Sequence, residues 1–135
     1  MFAADPVIRM RAADVIEKVS RKHPGYLQPF KNKLIFKVSN IRQQEVRWHT
    51  AQMFSYLDIS RDEKKLIVKI LTSYFKKDKS KIVKVNAMQT LANLAEHDET
   101  LKPHLLKLIK EAVKTGTPAL VSRGKKLIKN LERET

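Results

Sequence analysis

Asp14 and Glu17 are the side chains whose spacing comes closest to a chemical pair, because they lie three residues apart on one predicted helix. Two such carboxylates can act as general acid and general base. Helix surfaces carry acidic pairs routinely, however, and the sequence holds no Gly-rich phosphate loop, His-Glu-x-x-His pair or nucleophile elbow. We therefore expect no catalytic residue, and the chain is predicted not to be an enzyme.

Metal and cofactor sites are not expected either. The four histidines, His23, His49, His97 and His104, share no spacing typical of metal ligands. The chain has no cysteine, which excludes disulfides and cysteine-ligated zinc or iron-sulfur sites and favours an intracellular, cytoplasmic setting. No apolar run approaches the roughly 20 residues needed to cross a bilayer, so no membrane partner is expected.

The charge of the chain indicates acidic partners. Its 28 Lys and Arg residues against 14 Asp and Glu residues give a net charge of +14. Such an excess predicts attraction to polyanions or to acidic protein surfaces and says nothing about fold. The basic residues are spread along the chain without forming a tail.

A repeat organises the sequence. Four similar segments start at Asp5, Gln43, Ser80 and Thr117, at intervals of 38, 37 and 37 residues. Their apolar positions coincide in three columns, Ile8, Val46, Val83 and Leu120, then Ile16, Phe54, Leu91 and Ile128, then Val19, Leu57, Leu94 and Leu131. A fourth column is small in every copy, as Ala12, Thr50, Ala87 and Gly124. A repeat of about 35 to 45 residues is typical of an α-solenoid.

Each repeated segment is predicted to be an amphipathic helix, since its apolar residues recur at helical spacing. Asp5, Ser80 and Thr117 are expected to cap these helices, with Pro6 and Pro118 in first turns, and only Gln43 departs from the pattern. Three further helices are predicted at Tyr26 to Val38, Arg61 to Phe75 and Leu101 to Val113. The prediction is a single all-α domain, 1–135, of seven helices, with repeats near 5–20, 43–58, 80–95 and 117–132.

The alternation of a helix such as LKPHLLKLIKEAV with one such as DPVIRMRAADVIEKV or QQEVRWHTAQMFSYL resembles HEAT repeats, whose second helix typically opens with a Val-Arg pair. Here that pair is Ile8-Arg9, Val46-Arg47 and Val83-Lys84, and it lapses to Leu120-Val121. The resemblance implies a right-handed α-α superhelix, with an unpaired N-terminal helix followed by three helix pairs. It also implies that Arg9, Arg47 and Lys84 bind carbonyls or acidic residues in the turns, such as Asp5 and Asp78.

The resemblance further implies that the second helices, which are the four repeated segments, line a concave face. Their outward positions, with flanking residues, form a stripe of Met10, Asp14, Trp48, His49, Gln52, Val85, Gln89, Arg123 and Lys126. The stripe mixes acidic, aromatic, amide and basic side chains, which predicts a groove for a protein or acidic peptide. Trp48 is either an anchor for that partner or a packing residue beside Met10 or Val85.

Two alternatives place function elsewhere. A basic surface of Lys64, Lys65, Lys76, Lys77, Lys125 and Lys129 would bind nucleic acid, or would be a solvated face that keeps the protein in solution. Some HEAT-like proteins excise alkylated bases from DNA, and Trp48, Tyr56 and Asp14 supply the residue types for such a reaction. Finally, apolar area near Ile8, Val15 and Val19 is expected to stay uncovered and to favour self-association through the N-terminal helix.

Overall fold

The computed structural model describes residues 1–133, and these form seven α-helices and no β-strand. The helices are α1 (Pro6–Lys22), α2 (Lys31–Phe36), α3 (Gln44–Phe54), α4 (Arg61–Lys77), α5 (Lys81–Ala95), α6 (Lys102–Thr115) and α7 (Pro118–Arg133). The predicted all-α class and the predicted number of helices are therefore confirmed.

Three of the repeated helices begin where the sequence places them. The N–H of Val7 donates to the Asp5 carboxylate at 2.8 Å, and Pro6 opens α1. The Ser80 hydroxyl accepts from the N–H of Val83 at 3.3 Å, and the Thr117 hydroxyl accepts from the N–H of Leu120 at 3.4 Å. These side chains satisfy N–H groups that have no partner within a first helical turn.

The start of α4 is held by a reciprocal pair that the sequence prediction missed. Glu63 accepts from the N–H of Ser60 at 2.8 Å, and the Ser60 hydroxyl accepts from the N–H of Glu63 at 3.2 Å. Glu63 also pairs with Lys31 of α2 at 2.9 Å. The bond from Ser60, followed by the bond from Lys31, lowers the pKa of Glu63. This carboxylate therefore links the start of α4 to α2.

The helix predicted from Tyr26 to Val38 is wrong in its length. The chain forms 3-10 turns at Pro24–Tyr26 and Gln28–Phe30, then the six-residue α2, then a third turn at Val38–Asn40. Pro24 and Pro29 each lie in the first turn of a separate 3-10 segment. Because proline has no N–H with which to extend a preceding turn, the regular helix begins only after Pro29.

The chain divides into two compact units, the first comprising Met1–Ile70 and the second starting at Leu71 within α4. In the first unit, α1 packs mainly on α3. The core of this unit includes the buried residues Leu27, Leu34, Val46 and Phe54. In the second unit, α7 packs on both α5 and α6, around the buried residues Val83, Met88, Leu91, Ile109 and Leu127.

The predicted apolar columns hold in three helices and only in part in the first, where Ile16 is half-buried. Val46, Phe54, Val83, Leu91, Leu120 and Leu131 are buried, whereas Leu57, Leu94 and Ile128 are half-buried. In α1, Ile8 is 55% exposed and Val19 is 44% exposed, and the buried residues are instead Ala13, Glu17 and Ser20. Helix α1 thus turns a different face to its neighbour α3. The prediction that apolar area near Ile8, Val15 and Val19 stays uncovered is confirmed.

In α7, close packing explains why the fourth repeated column holds a small residue, Gly124. A Cβ added to the buried Gly124 would lie 2.7 Å from Val113 Cγ2 and 3.3 Å from Ile109 Cγ2, both in α6. Leucine at this position would therefore overpack the contact between α6 and α7. We expect Gly124→Leu to lower the free energy of unfolding by about 1–3 kcal/mol, measured by thermal and urea denaturation.

Ser122→Leu is the matched control, because Ser122 lies exposed on the same helix. Surface substitutions of this kind usually change stability by less than about 0.5 kcal/mol. Equal unfolding free energies for the two variants would contradict the tight contact at Gly124.

Candidate binding surfaces

The contact between α1 and α3 is built around a buried carboxylate. The side chain of Glu17 is 1% exposed and accepts hydrogen bonds from Arg21, at 3.0 Å from its Nε, and from the Tyr56 hydroxyl at 2.8 Å. Ala13 and Ser20, which are also buried on this face of α1, are small enough to let the two helices approach. Glu17 is therefore buried, although the sequence suggested an acidic pair of the kind that helix surfaces carry.

The surroundings of Glu17 keep it ionised. Burial raises the pKa of Glu17, but hydrogen bonds from Arg21 and Tyr56 outweigh burial and hold that pKa below its usual value. Burial first, and then the bond to Glu17, raise the pKa of Tyr56. General acids at neutral pH require a raised carboxyl pKa, which is the opposite of this arrangement. The geometry of Glu17 therefore suits a structural acceptor.

Asp14, the other half of the acidic pair, lies at the edge of the same interface. It accepts from Lys18 at 3.0 Å, and this bond is the main cause of its lowered pKa. Its second oxygen lies 3.6 Å from His49 Nε2, and His49 Nδ1 lies 3.1 Å from Gln52 Oε1. His49 is only 9% exposed, so its predicted place beside an exposed stripe is wrong. The reason is that α1 covers the imidazole.

Trp48 has an intermediate position. Its ring is half-buried and lies against the ring of His49, with 5.7 Å between centroids and 55° between planes. Met10 and Gln52 are also half-buried. Part of Trp48 is therefore available to solvent, and one side of its ring lies near the neighbouring imidazole.

Gln43, which departs from the capping pattern of the other repeats, binds α1 instead of capping α3. Its side chain does not cap α3. Instead, Gln43 Nε2 donates to the Pro6 carbonyl at 2.8 Å, and its Oε1 accepts from Arg9 Nε at 2.9 Å. Arg9 also donates to the Ala3 and Ala4 carbonyls at 2.8 Å, and Arg47 donates to Ile41 O at 3.3 Å. The expected contact with a carbonyl between helices is confirmed for Arg47, whereas Arg9 binds carbonyls of the segment before α1. The amide of Gln43 joins α1 to the start of α3.

In the second unit, part of the stripe is joined by hydrogen bonds. Arg123 Nη1 of α7 donates to Gln89 Oε1 of α5 at 2.7 Å, and Gln89 Nε2 donates to Asn93 at 3.1 Å. Val85 and Gln89 are half-buried, whereas Arg123 and Lys126 are exposed. The structure thus brings Gln89 and Arg123 together on one surface of α5 and α7.

A basic cleft of about 440 Å³ lies in the second unit, where the C-terminal ends of α4 and α6 meet the starts of α5 and α7. Four lysines, Lys76, Lys79, Lys81 and Lys84, line it together with Glu111 and the apolar residues Phe75, Leu108 and Leu120. Of the predicted basic surface only Lys76 belongs to this cleft. Lys65, Lys77, Lys125 and Lys129 are exposed elsewhere, and Lys64 is half-buried. The signal that was missed is the dense basic run from Lys76 to Lys81.

Within residues 1–133, no group of three acidic or histidine side chains could hold a metal ion, and no helix has both the length and the apolar character of a membrane span. Comparisons of the chain with protein-family models, curated proteins and solved structures found no match. The HEAT-repeat resemblance therefore stays a prediction that depends on the repeat itself.

Replacing Glu17 tests the buried carboxylate. Because hydrogen bonds to charged groups contribute about 1.5–3 kcal/mol, Glu17→Gln should lower the free energy of unfolding by about that amount at pH 7. A depressed native pKa stabilises the fold above the ordinary value of 4.5, and this stability is lost as the pH falls through the native pKa. The difference between the two proteins should therefore shrink below about pH 4.5, measured by urea unfolding at a series of pH values.

Glu96→Gln is the control, because Glu96 lies exposed at the end of α5. It should match the parent protein at every pH. A Glu17→Gln deficit that stays constant down to pH 2 would show that the ionised state of Glu17 does not contribute.

Proposed function

We propose that this chain is a non-catalytic binding module for a protein or acidic peptide, and that each unit binds through the exposed parts of its own second helices, α1 and α3 in the first unit and α5 and α7 in the second. The observation that carries this function is Trp48, which is half-buried on α3 with its ring beside that of His49. Trp and Arg dominate interface hot spots because they bury a large area and lose little conformational freedom. Trp48 is such an anchor, with Gln52 next to it.

The second unit offers a related surface. Arg123 is exposed, and its bond to Gln89 holds the guanidinium in one direction before any partner arrives. A side chain that is already ordered loses less entropy on binding. Lys126 and Arg123 together make this surface positive, which favours an acidic partner.

The finer architecture belongs to the same hypothesis. We infer a HEAT-like, right-handed superhelix in a single domain, and a cytoplasmic protein without cofactors. Support comes from the repeat and from the packing of second helices on one another within each unit, α1 on α3 and α5 on α7. The absence of cysteine supports the intracellular setting.

Trp48→Ala tests the protein-binding function. After a partner has been identified by crosslinking and purified, this variant should bind it at least about 30-fold more weakly, because hot-spot truncations cost about 2 kcal/mol or more. Binding is measured by calorimetry, and helix content by circular dichroism. Arg123→Ala tests the surface of α5 and α7 in the second unit by the same measurement.

Phe36→Ala is the matched control, because Phe36 is an exposed aromatic residue, 56% accessible. It should leave the affinity unchanged. Unfolding of the Trp48→Ala variant would assign Trp48 to the core, and an unchanged affinity would remove Trp48 from the interface.

Nucleic-acid binding is the second candidate, and the basic cleft favours it. No described residue pairs with Lys76, Lys79, Lys81 or Lys84 in an ion pair, so their ammonium groups are available to phosphates. A glycosylase-like reaction gains no comparable support, because the Tyr56 hydroxyl donates to Glu17 and Asp14 accepts from Lys18. The cleft would therefore hold a nucleic-acid backbone without acting on its bases.

A salt titration tests the basic cleft. Binding of labelled RNA and duplex DNA should weaken steeply between about 50 and 200 mM salt. Lys81→Gln with Lys84→Gln should reduce the slope of log affinity against log salt by about 2, which corresponds to two lost phosphate contacts. Fluorescence anisotropy gives both quantities.

The control replaces Lys107 and Lys114, which are exposed on α6 and do not line the cleft. Gln at these two positions should leave the slope unchanged. Affinity that hardly varies with salt would rule out phosphate binding.

A further inference from the structure

A second, chemically different groove lies in the first unit. It has a volume of about 460 Å³ and is lined by α1, by the segment that follows it, and by Met1 and Phe2 at the start of the chain. Its floor consists of the buried residues Leu27, Leu34 and Val38. Its walls include Val15 and Val19 of α1 together with Tyr26 and Phe30, and among the described residues Lys33 supplies the one charged side chain of the lining.

The walls of this groove expose large apolar groups to water. Val15 is 58% exposed, Tyr26 65% and Phe30 52%. Single exposed apolar residues are ordinary, but here they adjoin one another around an apolar floor. Contiguous apolar area of this kind marks interaction sites on proteins. The face arises because α1 turns Glu17 toward α3 and so leaves Val15 and Val19 uncovered.

The rim of the groove is positively charged. At about 100° per residue, Arg11 and Lys22 lie within about 60° of the line through Val15 and Val19 on α1. Both are exposed, and the Lys33 ammonium lies 5.9 Å from the centre of the Phe30 ring. The carboxylates of α1 do not neutralise this rim, because Glu17 binds Arg21 and Tyr56, and Asp14 binds Lys18.

We propose that the groove binds an amphipathic helix of a partner protein, with its apolar stripe against Val15, Val19 and Phe30 and with acidic residues flanking that stripe. Helices enter apolar grooves through anchors spaced three and four residues apart, and charges at the edge set orientation and partner choice. A second copy of this chain would bring the basic rims together at a net charge of +14 on each copy. This site does not depend on the Trp48 surface.

Designed peptides test the site on the full chain. The probe is a helical peptide of about 15 residues with leucines along one face and glutamates beside them, and its matched control carries lysines in place of the glutamates. We expect the glutamate peptide to bind at least tenfold more tightly than the lysine peptide, measured by fluorescence anisotropy. Amide shifts of Leu27, Leu34 and Val38 in NMR spectra should locate it in the groove.

Variants separate the apolar and charged contributions. Val15→Glu should weaken the glutamate peptide at least tenfold, whereas Ile82→Glu, at another exposed apolar residue, should not. Lys22→Glu with Lys33→Glu should invert the preference, so that the lysine peptide binds more tightly. This inversion supports the site even if Val15→Glu fails to fold. Trp48→Ala, which changes a different surface, should leave peptide affinity unchanged.

Other results would overturn the acidic-helix site. One is a dissociation constant above about 1 mM for the glutamate peptide, and another is equal affinity for the two peptides. A third is unchanged peptide affinity in both the Val15→Glu variant and the double lysine variant. Sedimentation that shows a wild-type dimer and a Val15→Glu monomer would assign the groove to a second copy. Binding to phosphatidylserine vesicles that Val15→Glu abolishes would assign it to a membrane surface.

Discussion

The burial of the Glu17 carboxylate between α1 and α3 constrains the rest of the first unit. An ionised group out of water costs several kcal/mol unless partners replace its hydration. Arg21 and the Tyr56 hydroxyl supply those partners, and Ala13 and Ser20 let α3 approach. Because the face of α1 that carries Glu17 packs on α3, α3 does not cover Val15 and Val19. One polar contact therefore determines both the helix pairing and the exposed apolar groove.

In the second unit, the helices pack without a buried carboxylate among the described residues. Gly124 gives α7 a close contact with Ile109 and Val113 of α6, and Val83, Met88 and Leu91 of α5 are buried in the core. Polar contact between α5 and α7 lies at the surface, where Arg123 meets Gln89. Such a contact orders exposed side chains at little desolvation cost. Binding chemistry is therefore expected at the edges of this unit and not inside it.

The positive charge of the chain does not identify one partner. Around the groove of the first unit it borders apolar side chains, an arrangement that suits an acidic amphipathic helix. In the cleft of the second unit, four lysines gather with one glutamate, an arrangement that suits phosphates. The same net charge thus supports two kinds of recognition, and the local partners of each lysine decide which one applies.

Short-range interactions that can be read from the sequence determined where several helices begin and which small residue is buried. Asp5, Ser80 and Thr117 cap helices as predicted, because a cap needs only its own following N–H groups, and the small residue Gly124 is buried as its column indicated. Tertiary contacts decided the rest. Helix α1 carries an apolar stripe through Ile8 and Val19 and a polar one through Glu17. Burial of the polar stripe is stabilised by Arg21 of the same helix and by Tyr56, and only the tertiary structure brings Tyr56 to Glu17. The lysine cleft likewise depends on side chains from several elements, whose meeting no local pattern encodes.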